Sequence, residues 1–269
     1  MIGAIIGDIA GSRFEFYNHR SKDFELLSKR CFVTDDSVMT LAIAKTLLMS
    51  GKDCDSVGRN TVKCMQEIGR HYPDCGYGCS FYDFLFSDNP QPYNSWGNGA
   101  AMRVSAVPYC AETLEEVKLL SRKVTEVSHN HPEGIKGAEA AAVCGFMAMH
   151  GSGKDEIRRY VDENYYPLDF TIDSIRDTYE FNESSQGTVP QAIEAFLESV
   201  SFEDAVRIAV SVGGDSDTIA AITGGIAEAY YGVPRSLRTE VKRRFLDRRL
   251  LKVLEDFERV YPAKVIENE

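Results

Sequence analysis

Apolar residues return every three or four positions along most of this chain, and that period decides what it can fold into more than any other feature does. Over residues 37–50, Val38, Leu41, Ala42 and Leu48 share one broad apolar face. Thr113-Leu114-Glu115-Glu116 has the capping-box pattern, and Val117, Leu120, Val124 and Val127 follow at helical spacing. The spacing predicts a further helix capped by Thr188, with Pro190 in its first turn and Ile193, Phe196 and Leu197 behind it. Ser201 and Asp204 open another, carrying Ala205, Ile208, Ala209 and Val212. Near the end, Leu237, Val241 and Phe245 form one stripe, and Leu250, Leu254 and Phe257 the next. No segment alternates convincingly with the period of two that a half-buried strand requires. The expected fold class is all-α, a single compact multi-helix domain over residues 1–269.

Gly3, Gly7 and Gly11 recur every four residues, which predicts a buried N-terminal helix with one bare face for close packing. That reading leaves Asp8 unexplained, an acid set among Ile and Ala. Loops rich in Gly and Pro cover 72–78 and 88–99, and a less regular stretch runs from 164 to 187. None has the length and simplicity of a linker. The formal net charge of −11 argues against a general nucleic-acid binder, which needs clustered Lys and Arg. Seven cysteines at irregular positions do not read as a disulfide framework, so a reducing cytoplasm is expected. Cys75 and Cys79 lack the second Cys/His pair that a zinc site needs, and read as ordinary thiols. The apolar start lacks a basic flank and is too short to span a bilayer, so no membrane association is expected.

Two acidic clusters carry the first chemical signal. Thr34-Asp35-Asp36 immediately precedes one apolar helix, and Asp215-Ser216-Asp217-Thr218 immediately precedes another. Each suits simple N-capping, because Asp and Thr are preferred caps and the helix dipole favours acids there. One cap, however, needs one side chain, not two acids and a hydroxyl. Oxygen-only sets of this kind suit hard cations, Mg²⁺ or Mn²⁺ rather than Zn²⁺, and two clusters suggest two ions. Without cations, four gathered carboxylates could not all stay ionised. From spacing alone, metal binding and capping both stand.

Ser95-Trp96-Gly97-Asn98-Gly99-Ala100-Ala101-Met102-Arg103 is the second signal. Its small residues suit exposed backbone N–H groups that cradle phosphate, and Trp96 offers a face for a base; the alternative is a tight turn with a buried Trp. His129 and His131, beside a helix start, are candidate donors to a phosphate or a ribose hydroxyl, or else helix caps.

In this order, Gly7-Asp8-Ile9-Ala10-Gly11-Ser12 with Glu15, Thr34-Asp35-Asp36-Ser37, Gly97-Asn98-Gly99-Ala100-Ala101-Met102-Arg103, Ser128-His129 and Gly213-Gly214-Asp215-Ser216-Asp217-Thr218 resemble the ADP-ribosylglycohydrolase family, which includes the hydrolase that reactivates dinitrogenase reductase. The resemblance spans residues 7–218. It implies an all-α fold with two divalent cations, Mg²⁺ or Mn²⁺, held by Thr34, Asp35, Asp36, Asp215, Asp217 and Thr218. It also implies that Glu15 gates or activates the attacking water beside Asp35 and Asp36, that Trp96 stacks adenine, and that His129 lies near the phosphates or the distal ribose. With Ser95, Gly97, Asn98 and Gly99, these two form the expected substrate-binding set. Asp8 is left as an orienting or structural acid, and His131 has no assigned role. Ser37 stands where many members have Thr, and keeps the hydroxyl. With all six ligand positions filled, the sequence departs from non-catalytic relatives such as lens crystallins.

The implied activity is hydrolysis of an N- or O-glycosidic conjugate of ADP-ribose, on a protein or small molecule, with an ADP-ribosylated nucleobase as the open alternative. A binding module that holds ADP-ribose without cleaving it, and a metal-dependent phosphoesterase, are the competing readings.

Overall fold

Each helical period in the sequence becomes a helix whose start is fixed by a hydroxyl or carboxylate side chain or by a bare turn. The computed structural model describes residues 1–267. In chain order the α-helices are α1 (Ile2–Gly11), α2 (Asp35–Ser50), α3 (Val57–Gly69), α4 (Cys79–Phe86), α5 (Leu114–Thr125), α6 (Pro132–Met149), α7 (Lys154–Asn164), α8 (Ile172–Ile175), α9 (Ser185–Glu198), α10 (Phe202–Ser211), α11 (Ser216–Tyr231), α12 (Arg235–Arg244) and α13 (Arg248–Val260). Two 3₁₀ turns, Asn98–Ala100 and Val104–Cys110, follow the glycine loop. Among the described residues, strand structure is confined to Val233–Pro234 pairing in parallel with Val265–Ile266, and the fold is all-α.

Thr113 caps α5, accepting from the Glu116 N–H at 3.2 Å, but the Glu116 carboxylate reaches the N–H of Glu112 rather than that of Thr113. Ser201 caps α10 by accepting from the Asp204 N–H at 3.1 Å. Thr188 is not the cap of α9. That helix begins a turn earlier, where Ser184 accepts from the Gly187 N–H at 3.1 Å, and Pro190 lies inside it. The Thr188 hydroxyl is used elsewhere, donating to the Asn182 carbonyl at 2.9 Å and accepting from Asn98 at 3.0 Å. Helices α5, α10 and α12 also stop before Val127, Val212 and Phe245, the last apolar residues of their stripes.

All ten residues of α1 are buried, as is α11 from Ser216 to Ala229, so neither has a solvent face. Such helices occupy the middle of a fold, where apolarity all round is satisfied. Ile2, Ile5, Ile6 and Ile9 are fully covered, each worth about 1.5–3 kcal/mol. The bare stripe of α1 lies on α11: a Cβ on Gly7 would stand 1.9 Å from the Ala220 carbonyl oxygen, and one on Gly11 2.5 Å from the Asp217 Cα. This approach brings the C-terminal end of α1 against the start of α11, and α2 begins beside both. Three helix ends therefore meet where the acids are. No helix among the described residues is long and apolar enough to cross a membrane.

Candidate active site

The start of α2 separates capping from other chemistry. The Thr34 hydroxyl accepts from the Asp36 N–H at 3.3 Å and so is the cap, leaving both carboxylates of Asp35 and Asp36 free of that task. At α11 no side chain caps the helix: Asp215 occupies the N-cap position but accepts instead from the Asn98 amide at 2.5 Å. Gly213 and Gly214, both at positive φ (78° and 66°), turn the chain into this start, and the Asn18 side chain accepts from the Gly214 N–H at 2.7 Å.

Asp8 is fully buried and accepts from one turn of backbone: Thr34 Oγ1 at 2.7 Å, Thr34 N–H at 3.2 Å, Ser37 N–H at 3.1 Å and the Ser37 hydroxyl. These bonds fasten α2 to α1. Thr218 donates to Asp36 Oδ2 at 3.2 Å across from α11, while Asp36 Oδ1 is buried with no hydrogen-bond partner among the described residues. Carboxylate oxygens of Asp8, Asp36 and Asp217 lie within 4.8 Å of one another, and so do those of Glu15, Asp215 and Asp217. Asp217 belongs to both trios. Asp35 lies at the edge, its N–H donating to the Cys75 carbonyl at 2.9 Å. Cys75 and Cys79 are free thiols and belong to neither group.

The electrostatics follow from this crowding. Burial, then the charges of Asp8 and Asp215, raises Asp35 well above the carboxylate range, and burial with Asp8, Asp35 and Asp215 does the same to Asp36. Asp217 is raised in the same way by burial, Asp215 and Asp36. Burial raises Asp215 too, with the Asn98 hydrogen bond holding it back. Asp8 is pushed up to about 6 by burial despite its donors. Glu15 is pushed up to about 7 by burial and the charges of Asp215, Asp8 and Glu183. Clustered, desolvated acids with an unpartnered oxygen fit divalent cations, which would supply the positive charge the site lacks.

Glu15, Asp35, Asp36, Asp215 and Asp217 floor a cleft of about 1000 Å³, with Asp8 buried behind them. Its other wall is the loop from Ser95 to Gly99, held to the start of α9 by the Ser185 N–H donating to the Trp96 carbonyl at 2.9 Å and the Ser185 hydroxyl donating to the Gly97 carbonyl at 3.0 Å. The loop is not a nest of free amides. Gly97 N–H donates to Ser95 Oγ at 3.1 Å and Asn98 N–H to the Glu183 carbonyl at 2.8 Å. Small residues matter here for approach: a Cβ on Gly99 would stand 3.3 Å from His129 Nε2. Trp96 is not buried; half its surface is open at the cleft, with one edge against His131. His131 is the cap of α6, its Nδ1 accepting from the Glu133 N–H at 3.1 Å. His129 is buried and lines the cleft, and burial, then the charge of Arg103, holds its imidazole well below the ordinary range.

Of the expected ligand, catalytic and substrate-binding residues, every one except Thr34 lines this one cleft; Thr34 lies behind Asp36, and Asp8 and His131 also lie outside the lining. The structure adds Tyr93, Phe81, Phe181 and Glu183 to the wall. Tyr93 lies in the loop 88–99, Phe181 and Glu183 in the irregular stretch 164–187, and Phe81 in α4, and nothing in the sequence spacing marks these side chains.

Comparison with known proteins agrees with this geometry. A family model described as ADP-ribosylglycohydrolase matches residues 1–264. ADP-ribosylhydrolase ARH3 of Homo sapiens is 23% identical, the match covering 87% of this chain and 84% of that protein. ADP-ribosylarginine hydrolase Tri1 of Pseudomonas putida (strain GB-1) is 25% identical, covering 87% of this chain and 70% of Tri1. A solved structure described as an ADP-ribosylglycohydrolase-related protein complex shares the fold, with a TM-score of 0.66 at 21% identity, covering 97% of this chain and 95% of that one. With a family model matched over nearly its whole length and acids gathered at one cleft, the chain belongs to the ADP-ribosylglycohydrolase family and is a glycosidic hydrolase like these named relatives.

Proposed function

We propose that the chain, acting as one domain, is a divalent-metal-dependent ADP-ribosyl hydrolase that releases ADP-ribose from an N- or O-glycosidic conjugate. The observation that carries this reading is the pair of carboxylate trios sharing Asp217, all but Asp8 lining a cleft large enough for a nucleotide sugar. Asp35, Asp36, Asp215 and Asp217, with Thr34 and Thr218, would hold two cations, Mg²⁺ or Mn²⁺. Bound there, they would orient the sugar hydroxyls and make water a better nucleophile, which suits a bond broken through an oxocarbenium-like state.

The protein's own groups do the rest. Glu15, whose carboxylate belongs to the second trio and lines the cleft, is the group placed to take a proton from the attacking water. Asp35 and Asp36, as ligands, would set the cations at the floor of the cleft, beneath the sugar. Asn98 fixes Asp215 through its amide, and Asp8 orients Thr34 and Ser37. Trp96 stacks the adenine at the open end, and Ser95, Gly97, Asn98, Gly99 and His129 face the diphosphate and ribose. Seven free cysteines suit a reducing, cytoplasmic setting.

A panel of arginine-, serine- and nucleobase-linked ADP-ribose, each with Mg²⁺ or Mn²⁺, tests the reading. Intact ADP-ribose should appear from at least one conjugate and stop with EDTA. Binding without release would favour a non-catalytic module, and AMP as product would favour a phosphoesterase.

A further inference from the structure

Arg103 ends the glycine-loop motif, and its guanidinium is wholly buried with no carboxylate partner among the described residues. Its Nη2 donates to Ser128 Oγ at 2.8 Å and to the Val124 and Thr125 carbonyls at 3.3 and 3.5 Å, and the Phe81 ring lies 5.5 Å from its central carbon. Among the described residues, Nε and Nη1 have no hydrogen-bond partner. A buried unpaired cation is costly, so its place here needs a physical reason.

The reason lies one bond further on. Ser128 Oγ is 2.8 Å from His129 Nδ1, and among the described residues Arg103 and that nitrogen are its polar neighbours. An arginine can only donate, so the serine oxygen accepts from it. The serine proton, fully buried, then has one acceptor, His129 Nδ1, and would be stranded if that nitrogen carried a proton. We propose that Arg103 is a positioning residue that, through Ser128, holds His129 as the tautomer protonated on Nε2. That atom lies where a Cβ on Gly97 or Gly99 would come within 3.6 or 3.3 Å, so the bare loop leaves it facing the cleft as a fixed donor. Burial, and then the positive charge of Arg103, also disfavours a second proton on the ring. His129 therefore acts as a neutral donor to a substrate oxygen rather than as an acid. The tautomer stands on hydrogen bonding alone; only the identity of the oxygen it serves rests on the proposed function.

Nitrogen NMR of the ring in the full-length protein reads the tautomer directly. The wild type should show a bare Nδ1 and a protonated Nε2. In Ser128→Ala the ring should lose its single tautomer and ADP-ribose, measured by calorimetry, should bind roughly tenfold more weakly, the effect of one misdirected hydrogen bond. Ser128→Thr, which keeps the hydroxyl, should restore both. A wild-type ring protonated on Nδ1, or a Ser128→Ala protein that keeps the Nε2 tautomer and full affinity, overturns the proposal. If the wild type fails to bind ADP-ribose, the functional reading fails while the nitrogen spectrum still decides the relay.

Discussion

Among the described residues, Asp217 is the side chain that the two carboxylate trios share. Asp217→Asn keeps the shape and removes the charge. It should abolish Mn²⁺ binding in a calorimetric titration and turnover with it, while circular dichroism stays helical. Asn98 orients Asp215 without belonging to either trio, so Asn98→Ala should cost about 10–100-fold in metal affinity, the usual effect of losing a group that holds a ligand in place. Equal losses in the two variants would contradict this ranking. Trp96→Ala should raise KM roughly tenfold with kcat little changed, as stacking alone is worth about 1–3 kcal/mol. At this scale the acids were legible because Thr34 suffices as a cap and two adjacent carboxylates are surplus to it. Arg103 was visible as a letter in a motif but not as a buried cation, because burial depends on α5 and Phe81, which are distant in sequence. Glu183 was invisible, since its main-chain carbonyl holds Asn98 and no side-chain pattern records that.

Between residues and the whole lie the helices, and here α1 matters most. Its bare stripe was legible as a four-residue glycine repeat, but the partner it packs on was not, because spacing shows a face and not what meets it. Gly7→Ala would place a methyl 1.9 Å from the Ala220 carbonyl oxygen, and backbone on both sides leaves nothing flexible to yield. Overpacking of this kind costs about 1–3 kcal/mol or more. Because α1 carries Asp8, which fastens the Thr34 turn, the same displacement should weaken Mn²⁺ binding along with stability. Urea unfolding and a metal titration on one preparation check both; a stability loss with unchanged metal affinity would separate the helix packing from the site. The start of α9 shows how a local rule fails. Pro190 suggested Thr188 as cap, yet Ser184 reaches the Gly187 N–H and wins, freeing Thr188 to hold Asn98.

For the whole molecule, gathering these acids sets a dependence of stability on pH that cations should reverse. The ordinary carboxylate values of 3.8 and 4.5 become about 6 for Asp8 and about 7 for Glu15, and Asp35, Asp36 and Asp217 are also raised. Without metal the folded chain thus holds protons that the unfolded chain has already released. The sign follows: this contribution is complete below about pH 4, where both states are protonated, and is lost as pH rises through 6 and 7. In EDTA, Tm should fall between pH 5 and pH 8. Saturating Mn²⁺ binds the ionised carboxylates of the folded state alone, so the rise in Tm that it causes should grow across the same interval. Binding at pH 6 should release protons, seen as a heat that changes with the ionisation enthalpy of the buffer. Glu15→Gln removes the group nearest neutrality and should flatten the metal-free curve around pH 7. A metal-free Tm that climbs from pH 5 to pH 8 would mean that the acids are not held protonated in the fold, and the electrostatic case for two cations on this floor would go with it.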